Sequence, residues 1–279
     1  MPADSALDAF ENEVEKPDTE IDLGRASLVL GKFEYTDIDV DAYEERIAEL
    51  ADDAARYGRD VDLTPVALAG YLFDTQKYQG NEQDYLDPRN SYLNEVIDRR
   101  LGIPISLSVL FIEVAGRLDM DVQGVGLPGH FIARAVENRG SQSHISYIDP
   151  FHRGKVMSQQ DCRDRVRAIT NDAIPFDPAF LDPVSARYIL MRVLNNLKNI
   201  YMSRRDFARA RHVVERLLVL NPENLDEVRN LGLLYAALGQ SRRAVALLEK
   251  YLQGLPEAPD AESVKKYVAA LARNVARWN

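Results

Sequence analysis

The sequence predicts a two-part protein: a helix-rich α+β domain with a small antiparallel sheet, followed by an all-α pair of helical hairpins. The first prediction rests on a change of apolar spacing, from the helical three- and four-residue spacing before residue 119 to short strand-like segments after it. The second rests on an internal repeat in the last third of the chain. We expect a flexible acidic tail over residues 1–20, the α+β domain over 21–184, and the hairpins with a C-terminal capping helix over 185–279.

Four helices are predicted in the first part. The segment 42–56 has apolar residues at helical spacing and a charged outer face. Thr64 and Pro65 are expected at the N-cap and first position of the next helix, because threonine accepts a bond from a free amide and proline has none to satisfy. Further helices are expected over 91–100 and 105–118. The last is apolar almost all round and should be buried.

Three short strands are predicted over 122–125, 131–136 and 145–148, where β-branched and aromatic residues are bounded by turn residues. The segment 138–140, Asn-Arg-Gly, is typical of a hairpin turn between the second and third strands. Helices followed by a small antiparallel sheet give the α+β class.

The last third of the chain repeats itself with a period of 34 residues. The first set of positions is Leu197, Tyr201, Ala210, Val214 and Pro222, and the matching set is Leu231, Tyr235, Ala244, Leu248 and Pro256. This period and these residue classes identify tetratricopeptide (TPR) repeats, which are helical hairpins. Two repeats are fewer than a free-standing solenoid needs, so one end should pack on the α+β domain. The expected partner is a protein or peptide held in the TPR groove.

Composition narrows the range of partners. The 279 residues include 34 basic and 44 acidic side chains, a formal charge of −10, which repels phosphate backbones and anionic lipid. We therefore expect no direct nucleic-acid partner and no membrane partner, and we interpret the arginines from 204 to 211 as the solvated face of a helix. The N-terminus lacks the apolar segment of a secretory signal, and no apolar run is long enough to span a bilayer, so a cytoplasmic location is expected. No cofactor is predicted.

A candidate catalytic group is formed by Ser106 and Ser108 at the start of the apolar helix, His130 before a strand, and Asp149 at the end of the next strand. A hydroxyl at a helix N-terminus, a base and an orienting carboxylate are the parts of a nucleophilic site. The alternative reading is structural, with serines that cap the helix and a histidine bonded to the aspartate. His144 and His152 lie near the same sheet, which raises the question of a metal site with His130 and Asp149. Their spacing matches no established ligand pattern, and no metal site is predicted.

The wider motifs resemble one bacterial family, the SirB-type proteins, in which a transglutaminase-like domain of the papain-type superfamily precedes C-terminal TPRs. The matching segments are Tyr78-Gln-Gly-Asn81, Tyr85-Leu-Asp-Pro-Arg-Asn-Ser-Tyr-Leu-Asn94, Arg99-Arg-Leu-Gly-Ile-Pro-Ile-Ser-Leu-Ser108, Gly126-Leu-Pro-Gly-His-Phe131 and Ile148-Asp-Pro-Phe151. With the repeats, the resemblance covers residues from about 25 to about 255.

The resemblance implies that His130 and Asp149 correspond to the histidine and aspartate of the transglutaminase-like triad. It supplies no cysteine, because the helix start offers only Ser106 and Ser108, and the one thiol, Cys162, follows the sheet. A serine hydroxyl is a far poorer nucleophile than a thiolate. The first expected function is a non-catalytic scaffold for protein interaction or regulation, which would make the protein a pseudoenzyme. The alternative is an atypical hydrolase or acyltransferase that uses a Ser-His-Asp arrangement.

Overall fold

The computed structural model describes residues 3–60, 62–139 and 142–277. The described helices are α1 Ala3–Val14, α2 Leu23–Leu30, α3 Val40–Tyr57, α4 Pro65–Gly70, α5 Leu93–Arg99, α6 Pro104–Gly116, α7 Gln159–Thr170, α8 Ala186–Ser203, α9 Phe207–Leu220, α10 Leu225–Ala237, α11 Ser241–Gly254 and α12 Ala261–Arg277. The described strands are β1 Gln79–Gly80, β2 Leu101–Gly102, β3 Asp121–Val125, β4 Ile132–Arg139, β5 Gln142–Asp149 and β6 Lys155–Met157. The α+β class is confirmed.

The centre of the first part is α6, the predicted apolar helix. Ten of its 13 residues are buried, so both of its faces are covered by other elements. It packs against α3 and α5 as well as against β3 and β4 of the sheet. The predicted cap of α4 is also confirmed, because the Thr64 side chain accepts a hydrogen bond from the Ala67 amide with Pro65 at the first helical position.

The main sheet has the order β3-β4-β5-β6, and all of its strands pair antiparallel. The three predicted strands correspond to β3, β4 and β5. Sequence reasoning missed β6 and the two-residue parallel pair of β1 and β2, which are too short to show a period. The predicted turn at 138–140 falls partly in β4, which continues through Arg139, and Gly140 lies outside the described residues.

The N-terminal segment differs from the flexible tail expected over residues 1–20. Residues Ala3–Val14 form α1, whose Ala6, Phe10 and Val14 are buried against α2 and α9. These three residues are four positions apart and therefore lie on one helical stripe, which the many acidic residues around them obscured. Arg187 of α8 further binds this segment by donating to the Val14 carbonyl oxygen at 2.9 Å.

Helices α8 to α12 form the C-terminal part, with α8 and α9 as the first hairpin and α10 and α11 as the second. The first helix of each hairpin is capped by a residue type that favours the N-cap position, Ser185 for α8 and Asn224 for α10. Helix α8 also packs on α2 and α6, so one core runs through both parts. The expected packing of the repeats on the first domain is therefore present. No helix of the described ranges has the length and apolarity that crossing a membrane requires.

Candidate functional site

The site lies where β4 begins and β5 ends. His130 follows a turn in which Gly129 has a φ of +72°, a conformation that suits glycine, and stands two residues before β4. Asp149 is the last residue of β5. Antiparallel pairing, with Ala133 opposite Ile148, brings these two positions together. His130 Nε2 lies 2.8 Å from Asp149 Oδ2.

The Asp149 carboxylate is fully buried and has several partners. Its Oδ2 contacts His130 Nε2 and His152 Nδ1, each at 2.8 Å, while its Oδ1 accepts bonds from the backbone amides of Phe151 and His152 at 3.1 and 3.3 Å. The Arg165 guanidinium lies 3.8 Å from Oδ2. Burial raises the pKa of Asp149, but the hydrogen bonds and positive character of the two histidines outweigh it and lower that pKa below its usual value. Because an ionised carboxylate only accepts, both rings donate to it.

The turn after β5 brings His152 to the edge of a cleft. The amide of Gly154 donates to the Asp149 carbonyl oxygen at 2.9 Å and closes this turn. The Phe151 ring packs on Gly80 of β1, where an added Cβ would come within 2.5 Å of the ring. His152 is 32% exposed and lines the cleft of about 500 Å³ together with β1 and the loop that follows it.

The two candidate serines are bonded to carbonyl groups. Ser106 Oγ donates to the Asn90 carbonyl oxygen at 2.5 Å and accepts from the Ile103 amide at 3.1 Å. Ser108 Oγ donates to the Pro104 carbonyl oxygen at 2.8 Å, one turn back in α6. Both side chains are buried. Within the described part of the chain, neither hydroxyl has a hydrogen bond to an imidazole.

The asparagines of the motif segments hold loops together. Asn81 Nδ2 donates to Asn90 Oδ1 at 3.1 Å, and Asn90 Nδ2 donates to the Asp84 carbonyl oxygen at 2.7 Å. Asn90 is completely buried, and its backbone oxygen is the acceptor for Ser106. The motif therefore fixes the loop before α5 against the start of α6.

The remaining reactive side chains are not members of this hydrogen-bonded group. Cys162 lies buried in α7, and burial, followed by the charges of Asp161 and Asp149, raises the pKa of its thiol to about 11. His144 is exposed in β5 opposite Glu137. Of the four residues considered for a metal site, His130, Asp149 and His152 come together and His144 does not.

Sequence reasoning missed one residue that positions the site. Arg192 of α8 donates to the carbonyl oxygens of Leu127 and His130, at 3.2 and 3.1 Å, and its guanidinium lies over the Phe131 ring. It therefore holds the turn that carries His130 from the side of the hairpins. No sequence pattern marks this role, because an arginine within a helix usually reads as surface.

The comparisons with known proteins agree with this architecture. Residues 41–195 match the transglutaminase-like superfamily, and residues 197–269 match the tetratricopeptide repeat family. A UPF0162 protein of Xylella fastidiosa is 35% identical over 91% of this chain and 92% of its own length. The UPF0162 protein of Vibrio cholerae is 24% identical over 82% and 83% of the two chains, and the SirB1 protein of Salmonella typhimurium is 26% identical over 65% and 66%.

The chain belongs to the SirB-type (UPF0162) family. The chain combines the transglutaminase-like segment and the TPR hairpins in one polypeptide, as the sequence motifs implied. His130 and Asp149, which the sequence resemblance assigns to the transglutaminase-like triad, lie in contact. The start of α6 carries Ser106 and Ser108 and no cysteine.

Proposed function

We propose that this SirB-type chain is a non-catalytic, cytoplasmic scaffold for protein interaction or regulation. The observation that supports this most directly is the use of the Ser106 hydroxyl. Its proton is within reach of the carbonyl oxygens of Asn90 and Ile103, at 2.5 and 3.2 Å, and its oxygen accepts from the Ile103 amide, so it serves as a link between the Asn90 loop and α6. A nucleophile needs a base within hydrogen-bond reach, and this hydroxyl is committed elsewhere.

The lack of a usable thiol supports the same proposal. Cys162 is buried, and its pKa of about 11 leaves almost no thiolate at neutral pH. It also comes from α7, after the sheet, whereas the transglutaminase-like pattern has its cysteine at the start of the buried helix. A thiol mechanism therefore has no residue to carry it among the described positions.

In this proposal the interaction surface lies on the hairpins. Met202 of α8 and Leu233 of α10 are 45% and 39% exposed, although the opposite sides of both helices are buried against α9 and α11. Exposed apolar side chains on the first helices of successive hairpins suit a peptide with apolar anchors. The arginines from 204 to 211 fit a nucleic-acid surface poorly, because Arg209, in the first turn of α9, is already paired with Glu34 and Asp206.

A second function is favoured by one observation, the hydrogen bond between His130 and Asp149. In a Ser-His-Asp hydrolase or acyltransferase, the aspartate orients the histidine, and the histidine takes the proton of the serine. Ser106 or Ser108 would then have to leave its carbonyl partner and turn toward His130. This alternative predicts activity that depends on both the serine and the histidine.

Labelling and turnover measurements separate the two functions. The purified chain is incubated with a fluorophosphonate probe and, separately, with amide and ester substrates, and wild type is compared with Ser106→Ala, Ser108→Ala and His130→Ala. The scaffold proposal expects no labelling of the folded protein and turnover equal to that of His130→Ala. Labelling that disappears in Ser106→Ala or Ser108→Ala, together with turnover lost in His130→Ala, would establish the hydrolase instead.

Peptide binding tests the interaction role. A library of linear peptides is presented to wild type, to Leu233→Glu and to Val66→Glu, which alters a side chain of matching exposure on α4. A charge within an apolar contact should lower affinity at least about tenfold in Leu233→Glu and leave Val66→Glu unchanged. If no peptide binds, or if both variants bind as wild type does, the hairpin surface is not the binding site.

A further inference from the structure

Three side chains at the end of the sheet bring metal-ligating atoms together. His130, Asp149 and His152 each offer a ligand atom, and these three atoms all lie within 4.8 Å of one another. The two histidines come from the turn before β4 and the turn after β5, so their separation in sequence follows from strand pairing. This explains why their spacing matched no local ligand pattern.

The donor set suits a transition metal. Imidazole nitrogen is a common ligand of Zn²⁺, Co²⁺ and Ni²⁺, and two histidines with one carboxylate leave open positions on the ion. The Asp149 carboxylate is buried between the two rings, so it adds an oxygen ligand at the point where both nitrogens meet. We propose that His130, Asp149 and His152 bind one divalent transition-metal ion.

The distances require only a small rearrangement. Both nitrogens lie 2.8 Å from Asp149 Oδ2, whereas ligands about 2.1 Å from a tetrahedral ion are roughly 3.4 Å apart. Each imidazole nitrogen therefore has to move away from Oδ2 by roughly half an ångström. The two nitrogens, which belong to a group of ligand atoms within 4.8 Å of one another, have to reach the same spacing of roughly 3.4 Å. Each ring also has to carry its proton on the nitrogen that faces away from the ion.

The surroundings hold the carboxylate in place and leave a route for the ion. Asp149 Oδ1 is fixed by the Phe151 and His152 amides, which leaves Oδ2 directed at the two rings. His152 borders the cleft of about 500 Å³, so an ion and its remaining ligands can enter from that side. The Arg165 guanidinium, 3.8 Å from Oδ2, opposes the ion, and this side chain is partly exposed.

Direct metal titration tests the proposal, which does not rest on the scaffold function. The full chain, purified without a polyhistidine tag and treated with chelator, is titrated with Co²⁺ by visible absorbance and with Zn²⁺ by calorimetry. We expect one ion per chain and Co²⁺ bands of a nitrogen- and oxygen-ligated site. His152→Ala should weaken binding at least about tenfold, because removal of even a supporting residue has that effect. His144→Ala, an exposed histidine of the same sheet, should bind as wild type does.

Circular dichroism and thermal melting establish that each variant is folded. If His152→Ala is unfolded, Asp149→Asn is titrated in its place, since it keeps the shape of the carboxylate, and the same loss of affinity is expected. The proposal is overturned if wild type binds neither ion in the micromolar range. It is equally overturned if the ligand variant binds as wild type does, or if His144→Ala loses as much affinity, because the ion would then lie elsewhere. Serine labelling and amide turnover are unaffected by these outcomes.

Discussion

Replacing Ser106 by alanine tests whether this hydroxyl is structural. In the folded chain it donates to the Asn90 carbonyl oxygen at 2.5 Å and accepts from the Ile103 amide at 3.1 Å. The variant loses both bonds, but the Ile103 amide keeps a second bond to the Asn90 oxygen at 3.3 Å, so neither buried group is left wholly without a partner. The expected loss in the free energy of unfolding is therefore about 1–2 kcal/mol, the value of a helix-start cap or of one to two hydrogen bonds.

Ser108 provides the matched control from the same helix. Its hydroxyl is buried and donates one hydrogen bond, to the Pro104 carbonyl oxygen. This oxygen, four residues earlier, is also the one that accepts the backbone hydrogen bond of an α-helix. Such bonds within a helix add little stability, and alanine favours the helix more than serine does. Ser108→Ala should therefore change the free energy of unfolding by no more than about 0.5 kcal/mol.

The assay is urea unfolding of wild type and both variants, followed by circular dichroism, with the midpoints compared at a common slope. The reasoning predicts a clear order, in which Ser106→Ala unfolds at lower urea than Ser108→Ala, and Ser108→Ala unfolds close to wild type. The interpretation is refuted if Ser106→Ala is as stable as wild type. Its hydroxyl would then not be needed for the fold, and it would be free to serve as a nucleophile.

Three further predictions concern parts of the chain outside the site. Phe10→Ala should destabilise the fold by about 3 kcal/mol, because Phe10 is fully buried. Glu11→Ala, on the exposed face of the same helix, should destabilise it by no more than about 0.5 kcal/mol. Equal urea midpoints for the two variants would show that the segment is a tail. Burial raises the pKa of Glu215, but its hydrogen bonds, including one from Tyr235, outweigh burial and lower this pKa below 4.5. The ionised carboxylate therefore stabilises the fold above that pH, and this stabilisation is lost as the pH falls further. The difference in stability between wild type and Glu215→Gln should narrow on acidification, and a constant difference would contradict the assignment. Cys162 should react with a thiol reagent at least about tenfold more slowly in the folded chain than in urea, and equal rates would show that it is accessible.

The fold was predictable where local signals and core packing agree. The α6 segment is apolar on all faces and is buried, and the 34-residue repeat corresponds to α8–α11. The prediction for the α1 segment was wrong because acidic residues dominate its composition. Its helix is stabilised by burial of Phe10 and by contacts with α9, which lies about 200 residues further on in the sequence. The two-residue strands β1 and β2 form only because the fold brings them side by side, so no periodicity in the sequence predicts them.

The candidate site was predictable in its residues and only partly in its geometry. Motif order placed His130 and Asp149 near one another, and strand pairing brings them into contact. The role of Ser106 as a link depends on the Asn90 carbonyl group 16 residues earlier, a long-range contact that its own surroundings do not encode. The position of His152 follows from the turn around buried Asp149, which sequence reasoning treated only as the end of a strand.

Helix α8 explains how two repeats suffice in this chain. A TPR pair lacks a neighbour at each end, and its first helix would expose apolar surface in isolation. Here α8 packs on α2 and α6, its Tyr201 hydroxyl meets Tyr92 at 2.9 Å, and its Arg192 holds the carbonyl group of His130. The transglutaminase-like part therefore takes the place of the missing repeat. Because one helix is both the first wall of the hairpins and a support of the His130 turn, a boundary drawn at residue 185 separates two segments of sequence that share a single core.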